Sequence, residues 1–437
     1  MRFVHTADWQ IGKPFARISD PRKRALVNQA RVAVVGRIGR VVEEQGAEFV
    51  LVAGDLFDSP SVDKATVSAA CGAIGRIPVP VIAIPGNHDH AGPGSIWEQE
   101  FFIREREQLA PNLVVLTEPG VYRIKSAFIL ACPLRARTGW ADPTEWVRTP
   151  ETWVPSEGTG GSRGEAEGEA GGFGSRDGVE GPRIVLAHGS TQVFVGRCDD
   201  EDELERTSGS GFIDLSRLPD HLLDYIALGD WHGTKQVGPK AWYAGTPEAD
   251  RFAKSGEYDP GNILVVDVEP GGEPRVNSVH VGELRWAQLS LDVSGATGVQ
   301  AAVARIEKAV GFGVDEALLR LELSGSVAIA AAGELERVLQ SQEARLLRLK
   351  LVDRTTVEPG EDELVSLLSS ADHPLVAKVT ERLLAQADGE GDAAAIARIG
   401  LRDLHAAVES QPGARVASAK SGGRIRLASY RLEDRPT

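Results

Sequence analysis

The chain has 437 residues, 42% of them hydrophobic, 25% charged and 6% aromatic, the balance of a globular protein with apolar surface for two or three domains of about 100 to 200 residues. Its formal charge of -15 argues against coating nucleic acid by bulk electrostatics, which needs clustered Lys and Arg, but leaves room for a local basic groove. There is no apolar run of about eighteen residues and no basic-then-apolar leader, and Cys71, Cys132 and Cys198 lack zinc-ribbon or disulfide spacing, so no membrane insertion and a cytoplasmic setting are expected.

In chain order, β-branched runs predict strands at residues 2–6, 48–53, 79–84, 127–132, 184–187, 225–228 and 263–268. Helical patterns fall at 24–45 and 61–76. In the first, Val34, Ile38 and Val41 stand at i, i+4 and i+7, and Gly46 sits where a C-terminal cap belongs. Residues 157–181 are mostly Gly, Glu and Ser and offer little to bury, so they read as a disordered insertion within one domain. From 285 the pattern becomes a small α+β unit, with strands at 286–293, 317–323 and 345–352 and helices at 299–310 and 333–340. After Pro359 the chain turns helical, with Leu375, Val379 and Leu383 on one stripe and Ala397, Leu401, Leu404 and Val408 on another. Its end is locally basic (Arg415, Lys420, Arg424, Arg426, Arg431) and reads as a solvated tail. The boundaries expected are 1–284, 285–355 and 360–437.

Five motifs share one structural address, just past the C-terminal end of a predicted strand. They are Asp8, Gly54-Asp55, Gly86-Asn87-His88-Asp89, His188 and Gly229-Asp230-Trp231-His232. In open α/β sheets that edge is where ligands bind, so residues distant in sequence are expected to converge there. A lone Asp after a strand is more often a turn or cap residue, and a lone His more often a satisfied core residue. Five such motifs in this order outweigh that reading. Carboxylates, imidazoles and an amide oxygen together suit Mn, Fe or Zn, with Mn the first choice for hard oxygen donors plus imidazole. Two ions about 3.5 to 4 Å apart would need a shared carboxylate, for which Asp55 is the candidate.

The ordered motifs HTADWQIG, AGDLFD, IPGNHD, LAHG and YIALGDWHG resemble the calcineurin-like metallophosphoesterases, most closely their SbcD-type DNA repair nuclease branch, related to the MRE nuclease. The opening HTADWQ, the GDLFDSP segment and the spacing to YIALG carry the closer likeness, over roughly the first 280 residues. The resemblance implies a layered α/β core of β-sheets sandwiched by helices, a small α+β capping domain and C-terminal helices. By position it implies one ion held by Asp8, Asp55 and His232 and another by Asp55, Asn87, His188 and residue 230. His88 would assist the leaving group, and water acidified by the ions would attack. It also implies DNA as substrate, an SbcC-like coiled-coil ATPase docked on the C-terminal helices, and a homodimer.

The chain departs from that pattern twice. Gln10 stands where the family has the histidine of D-x-H, and Asp230 where it has the first histidine of G-H-x-H. Gln10 offers only a neutral carbonyl oxygen, so the first ion would be held less tightly, whereas Asp230 adds a harder, negative donor that favours Mn or Mg over Zn. Two alternatives stay open: a phosphoesterase of the same superfamily acting on a small phosphodiester, nucleotide or phosphoprotein, and a catalytically weak subunit that binds DNA ends or regulates an ATPase. Asp58 is a weaker candidate for orienting a ligand or lying near substrate. Asp89 is expected to tie down its own loop. His5, His90 and His221 are assigned to strand, loop and surface, and Trp9 and Trp231 to packing. Lys13 and Arg17 are the substrate-binding candidates; with Arg22, Lys23 and Arg24, and with Arg135 and Arg137 after another strand, they suit a basic rim near the metals, with a charged, solvated helix start the equal alternative.

Overall fold

The computed structural model describes residues 1–137, 141–156, 181–191, 211–253, 258–295, 297–311, 314–357, 367–368, 374–387, 389 and 391–409. The 157–181 insertion, except Gly181, and the basic tail lie outside them, as does Cys198.

Sixteen described strands follow in order: β1 (Arg2–Thr6), β2 (Val50–Val52), β3 (Val81–Ala83), β4 (Leu113–Val115), β5 (Gly120–Ile124), β6 (Ala127–Cys132), β7 (Pro155–Ser156), β8 (Arg183–His188), β9 (Tyr225–Gly229), β10 (Lys235–Gln236), β11 (Ala241–Tyr243), β12 (Asn262–Asp267), β13 (Arg275–His280), β14 (Arg285–Asp292), β15 (Ala317–Val327) and β16 (Arg348–Val357). They form a six-stranded sheet ordered β13-β12-β1-β2-β3-β4, a seven-stranded sheet ordered β10-β11-β9-β8-β6-β5-β7, and a three-stranded sheet of β14, β15 and β16. In the first sheet β1 to β4 run parallel and β12 closes on β1 antiparallel. In the second, β6, β8, β9 and β11 run parallel.

The two large sheets share one apolar interior. Period-2 alternation turns Phe3, Leu51 and Ile82 of the first sheet and Ile129, Ile184, Leu186 and Ala227 of the second into the same buried cluster. The intervening residues Val4, Val50, Val52, Val81 and Ala83 face the opposite way, into a cluster with Val34, Val35 and Ile38 of helix α1 (Pro21–Gln45) and Val67 and Ile74 of α2 (Lys64–Ile74). The outer face of the second sheet packs Leu130, Cys132, Val185 and Leu228 under Val147, Trp153, Ile213 and Leu222, which come from loops and short 3-10 turns. The molecule is thus a layered α/β fold, with strands covered on both faces as parallel sheets require.

Helix α1 starts at Pro21, three residues before the periodicity predicts. Asp20 accepts from the Arg22 and Lys23 amides, and proline at the first turn costs no hydrogen bond. It ends at Gly46, whose φ of 64° is the left-handed cap that glycine adopts without strain. Further along lie α3 (Glu100–Leu109), α4 (Gly298–Val310) and α5 (Ile329–Arg345). Strands that the sequence reading passed over are short or edge elements: β4, β5, β7, β10, β11 and β13. β13 alternates polar and half-buried residues and pairs only with β12, so no apolar run marks it.

The chain divides into two compact units. One comprises Met1–Leu289, Ile306–Leu321 and Gln342–Val352, the other Ser290–Arg305, Glu322–Ser341 and Asp353–Thr437. This division does not follow the expected boundary at 284. Leu318 and Leu347 join Ile18, Val27 and Phe252 in a cluster within the first unit, which assigns part of the small α+β segment to it. In the second unit, α6 (Pro374–Ala387) and α7 (Asp392–Glu409) bury Leu401 against Leu367, with Leu383 packed alongside. Leu375 and Val379, on the predicted apolar stripe, are exposed, as are Ile396 and Ile399. No helix among the described residues is long and apolar enough to cross a membrane.

Candidate metal centre

The motifs meet at one end of the paired sheets. Asp8 follows β1, Asp55 follows β2, and Asn87 and His88 follow β3, all in the first sheet. His188 ends β8, and Asp230 and His232 follow β9, in the second. The loops after β1 and β2 continue side by side: the Asp8 amide donates to Gly54 O at 3.1 Å, Gln10 to Asp55 O at 2.8 Å and Ile11 to Leu56 O at 3.0 Å. Asp8, Gln10, Asp55 and Asp230 all have positive φ, between 41° and 101°. Such backbone is sparse for residues with a Cβ and is held only where the surroundings over-determine it, which is common at functional sites. Gly54 and Gly86 are required for a different reason. A Cβ on Gly54 would run into His188 Nδ1, and one on Gly86 into Asp55 Oδ1.

Asp8, Asp55 and His188 are fully buried, and each presents a ligand atom within 4.8 Å of the other two. His188 Nε2 lies 2.7 Å from Asn87 Oδ1, 3.6 Å from Asp55 Oδ2 and 3.8 Å from Asp230 Oδ1, and its Nδ1 donates to Ala53 O at 2.8 Å. The Asp230 amide donates to both Asp8 oxygens at 3.2 Å, tying the second sheet's loop to the first sheet's carboxylate. Asp55 Oδ1 also accepts from the His88 amide at 2.9 Å.

The electrostatics fit a cation. Burial, reinforced by Asp55 and Asp230, pushes the Asp8 carboxyl up to about 8. Burial opposes charge on His188, but Asp55, Asp8 and Asp230 outweigh it and raise the imidazole to about 9. The carboxyl groups of Asp8, Asp55 and Asp230 around one imidazole supply the negative charge a divalent ion seeks once it displaces the proton from Asp8. Hard oxygen donors plus one imidazole suit Mn or Mg better than Zn.

Gln10 and His232 pair with each other beside this cluster, and His232 is near enough to Asp55 to help hold its carboxyl down. Gln10 Nε2 lies 3.3 Å from His232 Nε2, and Gln10 Oε1 accepts from Lys13 Nζ at 2.8 Å. His232 Nδ1 faces Asp250 Oδ2 at 3.1 Å and Arg251 Nη2 at 2.6 Å. Burial, with Arg251 adding to it, lowers this imidazole to about 4. Lys13 is therefore not part of an outward rim: its ammonium bonds Asp250 at 2.9 Å, with the side chain only 18% exposed. Arg17 is exposed, whereas Lys23 bonds Glu343 O at 2.6 Å and Arg135 pairs with Glu118 at 2.9 Å.

His88, nearly buried, turns Nδ1 to the Asp58 carbonyl at 2.8 Å, with the Asp58 carboxylate 3.9 Å away. Asp58 thus orients His88. Asp89 ties its loop as expected, accepting from the Gly86 amide at 2.7 Å and from the Phe57 amide at 3.0 Å. His5 is buried between Tyr225 Oη at 3.0 Å and Leu228 O at 3.2 Å. Trp9 packs in the core with Nε1 on Thr6 Oγ1, and Trp231 packs with Lys235 over its ring.

Sequence reasoning missed Arg31, Asp250 and Tyr258. Arg31 is fully buried and donates to Trp9 O, Asp8 O, Glu248 O and Thr246 Oγ1, fixing the β1 loop against residues 246–248. A signal existed, because Arg31 sits on the apolar stripe of α1 with Val27, Val34 and Ile38. Tyr258 donates to Asp250 Oδ1 at 2.9 Å, and no motif flags either residue.

The family model described as calcineurin-like phosphoesterase matches residues 1–259. Among solved structures, the crystal structure of TT1561 from Thermus thermophilus superposes with a TM-score of 0.34 at 10% identity, over 64% of this chain and 98% of that one.

Proposed function

The chain belongs to the calcineurin-like phosphoesterase family, and from that premise we propose that it is an SbcD-like DNA phosphodiesterase, an exonuclease or endonuclease of DNA repair or end processing. As a family member it is a metal-dependent hydrolase of phosphoester bonds. The observation that carries the catalytic part is the buried Asp8, Asp55 and His188 cluster with His88 bonded through its own amide to Asp55. DNA as substrate is supported by the HTADWQ and GDLFDSP segments and the exposed Arg17 near the Asp8 loop.

A divalent ion held by Asp8, Asp55, Asn87, His188 and Asp230 would polarise the phosphoryl oxygens and acidify water. The chain's own residues do the rest. His188 is aimed by its bond to Ala53 O, which leaves Nε2 toward the carboxylates. A carbonyl only accepts, so His88 Nδ1 donates to Asp58 O and its Nε2 is the nitrogen that exchanges a proton with the departing oxygen. The exposed Leu375, Val379, Ile396 and Ile399 on α6 and α7 support docking of an SbcC-like coiled-coil ATPase; a homodimer completes the proposed assembly.

The test is Mn-titrated cleavage of end-labelled linear and hairpin DNA. Wild type should cut only with metal. Asp55→Ala should abolish cutting, and His88→Ala should slow it by about 10² to 10⁴. Hydrolysis of a small aryl phosphodiester with DNA left intact would overturn the substrate while keeping the family chemistry.

A further inference from the structure

We propose that the Gln10 and His232 side of the cleft is closed to a metal ion by Lys13, whose ammonium supplies a fixed positive charge there. The protein then holds one divalent ion tightly, at Asp8, Asp55 and His188, rather than a matched pair. The inference rests on the metal-dependent reading above.

Four observations carry it. First, the only ligating atom Gln10 possesses, Oε1, already accepts from Lys13 Nζ at 2.8 Å. An ammonium can only donate, so this contact fixes which way the amide lies and points the non-ligating Nε2 at His232 Nε2, 3.3 Å away. Second, Lys13 is anchored. Its other bond is to Asp250 Oδ2 at 2.9 Å, and the fully buried Asp250 is gripped in turn by Tyr258 at 2.9 Å and Arg251 at 3.1 Å. Swinging Lys13 away would strip a buried carboxylate of one of its charge partners, which is costly. Third, the charges are lopsided. The ammonium of Lys13 and guanidinium of Arg251 face one buried carboxylate on this side, while Asp8, Asp55 and Asp230 crowd around His188 on the other. A dication would be repelled by the first side and attracted by the second. Fourth, among the described residues the Asp8, Asp55 and His188 atoms are the group of His, Cys, Asp and Glu donors close enough to share an ion, and His232 is not in it.

Glutamine at position 10 is then matched to the lysine three residues on: an imidazole there would offer the ammonium no acceptor when its own lone pair served a metal.

The experiment is Mn(II) binding to the full chain, followed by electron paramagnetic resonance and by metal content after desalting. The proteins are wild type, Lys13→Met, Gln10→His and the double variant, each checked for native circular dichroism. Wild type should retain one Mn per chain with the six-line spectrum of an isolated ion, and a second equivalent should bind at least about tenfold more weakly. The double variant should take two ions of similar affinity and show the exchange-coupled spectrum of an ion pair, with Gln10→His between the two. Two equal, coupled Mn ions in wild type would overturn the inference, as would a folded double variant that still takes one. No retained Mn in wild type would overturn the metal-dependent reading itself. Wild-type stoichiometry is decisive even if a variant fails to fold.

Discussion

His188 and His232 belong to the same cleft, yet their surroundings push them in opposite directions. Both lose hydration, which disfavours the charged ring. Around His188 the carboxylates of Asp55, Asp8 and Asp230 win and raise it to about 9, whereas at His232 Arg251 reinforces burial and lowers it to about 4, with Asp250 only partly offsetting this. Residue type therefore does not decide what a histidine does in this site. The charges facing its two nitrogens do.

The largest test of that contrast is Gly54→Ala. A Cβ there meets His188 Nδ1, at a φ of 88° that a side chain rarely adopts. Mn affinity should fall by more than about a hundredfold, or roughly 3 kcal/mol by calorimetry; wild-type affinity would mean that the His188 half is not the site. Next comes Arg31→Lys. An ammonium cannot reproduce the guanidinium's bonds to Trp9, Asp8, Glu248 and Thr246. About 2 kcal/mol of stability should be lost in urea denaturation, and unchanged stability would show that the buried fork fixes nothing.

A smaller effect concerns pH. Asp8, raised to about 8, and His188, raised to about 9, hold protons at neutral pH that an incoming ion must displace. Fewer remain as pH rises, so Mn affinity should increase from pH 6 to 9, by up to about tenfold per unit for each proton released. His232, lowered to about 4, is already neutral across that window and contributes no slope. Calorimetry in buffers of different ionisation enthalpy counts the protons, and a flat profile would contradict the assignment. The smallest effect is Tyr258→Phe, which removes one donor from Asp250. It should cost about 1 kcal/mol of stability and leave Mn binding at Asp8, Asp55 and His188 unchanged.

The ligand-bearing loops were legible in the sequence because each follows an apolar strand and carries glycine where two backbones or a side chain and a backbone nearly touch, as at Gly54 and Gly86. The layered core was legible for the same reason: Val50, Leu51 and Val52, or Val81, Ile82 and Ala83, are short apolar runs covered on both faces. Lys13 was read as rim because it stands beside other basic residues, whereas it is tied inward to Gln10 and Asp250. Its partner Asp250 lies 237 residues away, a separation that no local pattern spans. Arg31 shows the opposite case, a charge on an apolar stripe that sequence alone could have marked as buried. β13 was passed over because this edge strand lacks the apolar run that marks the interior ones.

The ligand set draws Asp8 and Asp55 from one sheet and His188 from the other. A cation gripping all three is a rivet through the sandwich as well as a reagent. Because the unfolded chain cannot offer these three atoms together, the ion binds the native state alone and raises the free energy of unfolding, by about 2.7 kcal/mol at a hundredfold excess over its dissociation constant. The melting temperature would then be a gauge of loading: protein stripped by a chelator should melt early and recover its upper transition as Mn is returned, with no substrate present.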